Sequence, residues 1–317
     1  MLALVCADPP RLDPSHAEPV RTPGEVLLGL RLAGICDTDL QLARGYMGYR
    51  GVLGHEFVAE VLDADDTSLR GRRVVADINA SCLACSECRR GQPHHCLART
   101  VLGIVGRDGA LAERFLVPAH TLVPVPDEVS DERAVFAEPL AAALHVLEDL
   151  PQDEGPCVVL GDGKLGLLIA RAVAQSGRRT VVVGHHPGKL ALARQGGAVG
   201  VLESELDASL CGVPAVIEAT GSARGLSRAL SMLRARGTLI LKTTVAGASE
   251  VDLSPVVINE LRVIGSRCGD MARAVDALRT LDPTPLIAAR YPLADAEQAF
   301  AHAATRGTLK VLVSSGG

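Results

Sequence analysis

Three sets of residues in this chain have the types and the spacing to do chemistry. The most compact is Cys82, Cys85, Cys88 and Cys96, a C-x2-C-x2-C-x7-C run. Four thiolates this close in sequence can converge on one tetrahedral ion at about 2.3 Å per bond, the closed geometry of structural zinc. The residues between them, small side chains and then Arg89, Arg90, Gly91 and Pro93, suit a tight metal-binding knuckle. Iron–sulfur ligand runs also begin C-x2-C-x2-C but usually continue C-x3-C-P, which this run does not. Such a site pins the chain without saying what it does.

The second set is dispersed. Cys36 follows a strand in Gly34-Ile35-Cys36-Asp37-Thr38-Asp39-Leu40, and His55 stands in Gly54-His55-Glu56. Glu138 opens an Ala-rich helical stretch in Ala137-Glu138-Pro139-Leu140. A lone cysteine or histidine is more often core or surface than ligand. A sulfur, an imidazole and a carboxylate brought together supply the three protein ligands of a catalytic zinc, with a fourth position open.

The third set is Gly161-Asp162-Gly163-Lys164-Leu165-Gly166, which follows a strand and opens a helix. In that context G-x-G-x-x-G is the dinucleotide fingerprint, in which backbone approaches a pyrophosphate at a helix N-terminus. Gly161, Gly163, Lys164 and Leu165 are the expected cofactor contacts. An NAD site wants an acid at the end of the second strand to hold the ribose hydroxyls. Here that strand ends in Gly184-His185-His186-Pro187, without a carboxylate. An acid would also repel a 2′-phosphate and glycine would not. The cofactor is therefore read as NADP or NAD, leaning to NADP, with His185, His186 or Lys189 near the phosphate.

The elements that must position these residues fall into two textures. Residues 1 to about 125 are β-rich, with strands at 26–32, 57–62 and 73–76 and extended chain again over 112–117. From about Pro151, strand and helix alternate: strands at 157–160, 180–183, 215–218 and 238–241, helices at 164–175, 188–195 and 223–233. Such alternation implies a parallel sheet with right-handed crossovers. After Gly269 the pattern is helix, strand, helix, strand.

Bulk composition narrows the function. Aromatics are 2% of the chain, so the core must be built from Val, Leu, Ile and Ala, as in buried parallel sheets. A net charge of −5 without a basic run makes nucleic acid and anionic membranes poor partners. No segment reaches the roughly 18 apolar residues of a membrane span. Met1 to Cys6 is too short for a signal peptide. Nine cysteines without a secretion signal point to the reducing cytoplasm. Cys6, Cys157, Cys211 and Cys268 read as small buried hydrophobes.

In order along the chain, GICDTDL, GHE, the four-cysteine lobe, AEPL, GDGKLG and Gly265-Ser266-Arg267-Cys268-Gly269 resemble a zinc-dependent medium-chain dehydrogenase/reductase, of the alcohol and polyol dehydrogenase superfamily. The resemblance runs nearly end to end. It implies an α/β chain: a GroES-like catalytic domain over 1–149 with a zinc lobe at 80–100, a Rossmann domain over 150–268, and a segment over 269–317 that returns to the catalytic domain. It implies that Cys36, His55 and Glu138 hold a catalytic zinc, with Glu56 an alternate or water-bridged ligand. Thr38 falls on the hydroxyl that relays the substrate proton, and Asp39 on the carboxylate that orients the histidine.

The implied activity is reversible hydride transfer between a nicotinamide and an alcohol or carbonyl, with zinc as Lewis acid. The alternative is a catalytically silent dinucleotide- and zinc-binding sensor on the same fold. Arg44 to Arg50, between two ligands, is read as lining the pocket, and its two arginines and two tyrosines suggest a polar secondary alcohol or polyol. Gln41 stands where relatives often have a relay histidine, and Asp37 where many have Gly or Arg. A homodimer or homotetramer is expected, with Leu239-Ile240-Leu241 as a candidate pairing strand.

Overall fold

The computed structural model describes residues 1–152, 155–206, 210–244 and 250–316. Two compact units emerge: Met1–Glu138 together with Asp270–Gly317, and Pro139–Gly269.

In the first unit the organising strand is Glu25–Gly34. Val26, Leu28, Leu30 and Leu32 are each at most 4% exposed. Their period of two turns one face of the strand into the core. Three strands pair with it antiparallel: Glu56–Asp63, Arg114–Pro118 and Lys310–Ser314. Arg73–Ala76 and Leu122–Pro124 extend the sheet on one side, and Ile287–Pro292 pairs parallel to Lys310–Ser314 on the other. Phe57 and Phe115 meet edge to face with ring centroids 4.8 Å apart, a large share of the aromatic packing in so aromatic-poor a chain.

The second unit is a six-stranded, wholly parallel sheet. Its spatial order is Val199–Leu202, Thr180–Gly184, Cys157–Leu160, Val213–Glu218, Leu233–Leu241, Arg262–Gly265. Counted along the chain this is 3-2-1-4-5-6, the doubly wound order whose crevice opens beyond the carboxyl ends of the first and fourth strands. Val158, Leu160, Val181, Val183, Val216 and Leu239 build its apolar core with Leu230 and Met232.

Three expectations need correction. Leu239–Leu241 is interior: its strand runs from Leu233 to Leu241 and lies between two neighbours, and the edge strand is Arg262–Gly265. The helix expected to reach Leu233 ends at Met232, because Leu233 already belongs to that strand. Cys211 is exposed and Cys268 only half-buried, so neither is a core residue; Cys6 and Cys157 are buried.

Candidate functional site

Strand Glu25–Gly34 ends where the chemistry begins. Cys36 precedes the helix Asp37–Ala43, and its backbone N–H donates to Asp39 Oδ2 at 2.8 Å. Asp39 Oδ1 accepts from Gly54 N–H at 3.2 Å, so one fully buried carboxylate ties the Cys36 turn to the loop that carries His55. Gly54 has φ +98°, and a Cβ there would lie 2.7 Å from Leu111 Cγ, so both conformation and space require glycine.

His55 Nδ1 lies 3.2 Å from Asp39 Oδ1, an approach too oblique to make a hydrogen bond. Burial alone would depress the His55 pKa; the charges of Asp39 and Cys36 overcome it and hold it well above the ordinary imidazole range. Burial would likewise raise Asp39, but His55 and the Cys36 and Gly54 N–H groups keep it below the usual carboxylate range. With Asp39 facing Nδ1, Nε2 is the nitrogen left to ligate.

Ligand atoms of Cys36, His55 and Glu56 lie within 4.8 Å of one another. Soft sulfur, imidazole nitrogen and carboxylate oxygen are a zinc donor set. Metal ligation needs a neutral imidazole, and a cation on Nε2 would take the place of the positive charge that Asp39 and Cys36 favour on the ring. Thr38 Oγ1 stands 3.8 Å from the Cys36 sulfur.

Glu138 is not in this cluster. Its carboxyl is pushed up to about 7, first by burial and then by Glu56, against the pull of His55 and Lys310.

Lys310 went unremarked in the sequence. It is 2% exposed and forms an ion pair with Glu56, itself 1% exposed. The register explains the meeting: Gly34 is the residue paired with both Glu56 and Leu312. A Cβ on Gly34 would lie 2.5 Å from Glu56 Oε2 and 3.2 Å from Lys310 Cδ, so the ion pair passes over a glycine. The only sequence signal was a lysine in an otherwise apolar strand.

The four lobe cysteines also converge within 4.8 Å. Their sulfurs stand 3.4 Å (Cys82 to Cys96), 3.5 Å (Cys85 to Cys88) and 3.8 Å (Cys85 to Cys96) apart. Four bonds of about 2.3 Å to one tetrahedral ion would put sulfurs about 3.8 Å apart. Backbone N–H groups of Cys88 and Leu97 pull Cys85 down to about 6, while burial and the neighbouring thiols push Cys88 up to about 12.

In the second unit, Gly161 and Gly166 are fixed by packing. A Cβ on Gly161 would lie 2.5 Å from Ala219 O, and one on Gly166 would overlap Gly161 O. Gly163, at the N-cap of helix Lys164–Gln175, faces open space within 4 Å. That is the fit a pyrophosphate needs: two glycines for the turn and one leaving room at the helix N-terminus. Gly163→Ala should therefore leave stability nearly unchanged but weaken dinucleotide binding. Gly166→Ala should cost about 1–3 kcal/mol of stability through overpacking. Urea unfolding and fluorescence titration separate the two.

Residues 22–127 match the alcohol dehydrogenase GroES-like domain, and residues 165–282 the zinc-binding dehydrogenase domain. An erythritol/L-threitol dehydrogenase from Mycolicibacterium smegmatis is 32% identical over 303 residues, which is 85% of this chain and 83% of that one. The chain belongs to the zinc-dependent medium-chain dehydrogenase family. Two solved structures are also similar. A zinc-binding dehydrogenase from Sinorhizobium meliloti 1021, bound to NADP, is 27% identical with a TM-score of 0.88, over 99% of this chain and 98% of that one. An alcohol dehydrogenase from Escherichia coli CFT073, complexed with NADH, is 26% identical with a TM-score of 0.90, over 99% of each chain.

In this dehydrogenase the segment between Cys36 and His55 is split in its use. Tyr49 is 8% exposed and its hydroxyl lies 2.7 Å from Val52 O and 3.0 Å from Arg107 O, so it braces the loop. Tyr46, Arg44 and Arg50 are exposed. Asp37 is also exposed. Among the described residues, no helix is long and apolar enough to cross a membrane.

Proposed function

We propose that this dehydrogenase oxidises a short polyol or comparably polar secondary alcohol, with NADP preferred over NAD. Cys36, His55 and Glu56 hold the catalytic zinc, and Cys82, Cys85, Cys88 and Cys96 hold a second, structural one. The observation that carries the reading is the convergence of Cys36, His55 and Glu56 within 4.8 Å. When bound, zinc supplies Lewis acidity toward a substrate hydroxyl, and the nicotinamide accepts the hydride. Asp39 fixes the His55 ring. Thr38 takes the substrate proton and passes it to water, since Gln41 offers no base where a relay imidazole would stand. Glu138 is a second carboxyl near the cluster, suited to replace Glu56 as ligand when Lys310 holds Glu56 away.

The polyol assignment draws on the name of the Mycolicibacterium smegmatis relative and on exposed Arg44, Tyr46 and Arg50. Preference for NADP draws on Gly184 and on the imidazoles beside it. Absorbance at 340 nm tests both, with erythritol, threitol, threonine and long aliphatic alcohols against each cofactor. Highest kcat/KM for a four-carbon polyol with NADP is expected; a preference for long aliphatic alcohols would refute the substrate reading. Silence with every substrate would favour the sensor alternative.

The protein is further read as a cytoplasmic homo-oligomer. All nine cysteines are free thiols, as metal sites in a reducing compartment require. Strand Arg262–Gly265 is a sheet edge with Val263 42% exposed, and the preceding helix Ser254–Ile258 carries Val257 and Ile258 at 78% and 77%. An apolar sheet edge of this kind is ordinarily covered. Sedimentation equilibrium should return at least twice the 33.0 kDa chain mass.

A further inference from the structure

The glycine fingerprint carries a side chain at its second position. Here it is Asp162, which is 6% exposed. Its Oδ2 accepts backbone N–H groups from His185 at 2.9 Å and His186 at 2.7 Å. His186 Nδ1 lies 3.0 Å from the same oxygen and 3.2 Å from Oδ1. These donors hold the Asp162 pKa below the usual carboxylate range, against the opposing effect of burial.

The Asp162 side chain also fills a particular space. A Cβ on Gly184 would lie 2.5 Å from Asp162 Cβ, Cγ and Oδ2. Gly184 closes the second strand, where an acid would bind ribose hydroxyls. A carboxylate from residue 184 and the one from residue 162 therefore compete for one slot. The difference is where the charge points. An acid at 184 offers its oxygens outward, whereas Asp162 spends its oxygens on three N–H donors inside the turn. His185 and His186 are left at the strand end with side chains 67% and 40% exposed. His185 Nε2 is 3.0 Å from Glu203 Oε2, and Glu203 in turn lies 3.9 Å from Arg228. The His186 ring is turned by Asp162 alone among these acids.

We propose that Asp162 is the positioning residue for cofactor choice: it excludes a strand-end acid by filling the Gly184 slot and fixes the His185–His186 turn, so that an imidazole rather than a carboxylate meets the 2′-position of the adenosine ribose. This rests on the dinucleotide reading and deepens its preference for NADP. A carboxylate satisfied by three donors repels a 2′-phosphate far less than an outward one. His186, held through Nδ1, turns its Nε2 away from Asp162 at the exposed strand end.

The test is equilibrium binding, so it does not depend on turnover. The purified protein is titrated with 2′,5′-ADP and 5′-ADP, which differ only in the 2′-phosphate, and with NADPH and NADH by fluorescence. Asp162→Asn should weaken 2′,5′-ADP about tenfold and leave 5′-ADP within about twofold. Gly184→Asp alone should lose stability or binding of both probes, because its side chain has no room. Asp162→Ala/Gly184→Asp should regain the fold and invert the preference toward 5′-ADP and NADH. If Asp162→Asn does not fold, His186→Ala, at an exposed ring, carries the same expectation. Equal weakening of both probes by these variants overturns the proposal, as does a Gly184→Asp single variant that binds like the parent. A parent protein that prefers 5′-ADP overturns the NADP reading instead. The Asp162 proposal then stands or falls on whether the ratio of the two affinities moves in Asp162→Asn.

Discussion

Cys36→Ser and His55→Ala should each lower kcat/KM by at least about a thousandfold while the protein stays folded. A metal acting as Lewis acid contributes several kcal/mol to a transition state, and each 1.36 kcal/mol is a factor of ten in rate. Both residues lie outside the strands, at the end of Glu25–Gly34 and in the loop before Glu56–Asp63; His55 is 3% exposed beside Asp39, so His55→Ala should also lower stability and Cys36→Ser is the cleaner variant. Zinc per chain should fall by one. Cys96→Ser is the opposite control: it removes a thiol fully buried in the lobe, should also remove one zinc, and should lower the unfolding temperature. Near-native turnover in either active-cluster variant would sink the assignment.

Lys310→Met should destabilise the protein by about 3–5 kcal/mol, the usual cost of removing one partner from a buried ion pair. Glu56 stays behind at 1% exposure with its cation gone. Lys310 itself holds its proton: burial works against the charge, but Glu56 and Cys36 outweigh it. The loss should be largest after chelation, because a bound cation beside Glu56 compensates part of the missing charge. Adding Glu56→Gln to Lys310→Met should recover stability, the signature of a coupled pair. Urea midpoints of the four proteins, with and without chelator, measure the effect; equal stability of Lys310→Met and the parent would show that Glu56 has another partner.

Legibility followed sequence distance. The convergence of the four lobe cysteines could be read because they fall within one short stretch, and the fingerprint because three glycines at fixed spacing have separate steric duties. The elements around them, alternating strands and helices with Val- and Leu-rich runs, could be read from period alone, as helix Lys164–Gln175 illustrates. Which carboxylate comes within reach of Cys36 and His55 could not. Glu56 and Glu138 were both available, and the choice depends on which face of strand Glu56–Asp63 meets Gly34. That register also brings in a lysine 254 residues away. No local pattern encodes such a meeting. Asp162 was hidden differently: inside a glycine motif it looks like an exposed spacer, and only its three donors and the crowding at Gly184 reveal a buried charge. Leu239–Leu241 looked like an edge because a strand's neighbours are not written in its own residues.

One strand order has a consequence for biosynthesis. Lys310–Ser314 pairs with Glu25–Gly34, yet it leaves the ribosome after every other strand of that sheet. Pro139–Gly269 is continuous and can fold as soon as it is made, since domains generally fold as units during synthesis. Glu56 meanwhile waits without its lysine. A nascent chain halted before residue 310 should carry a finished nucleotide-binding half and an unfinished metal-binding one, open to proteases and chaperones until the last strand docks.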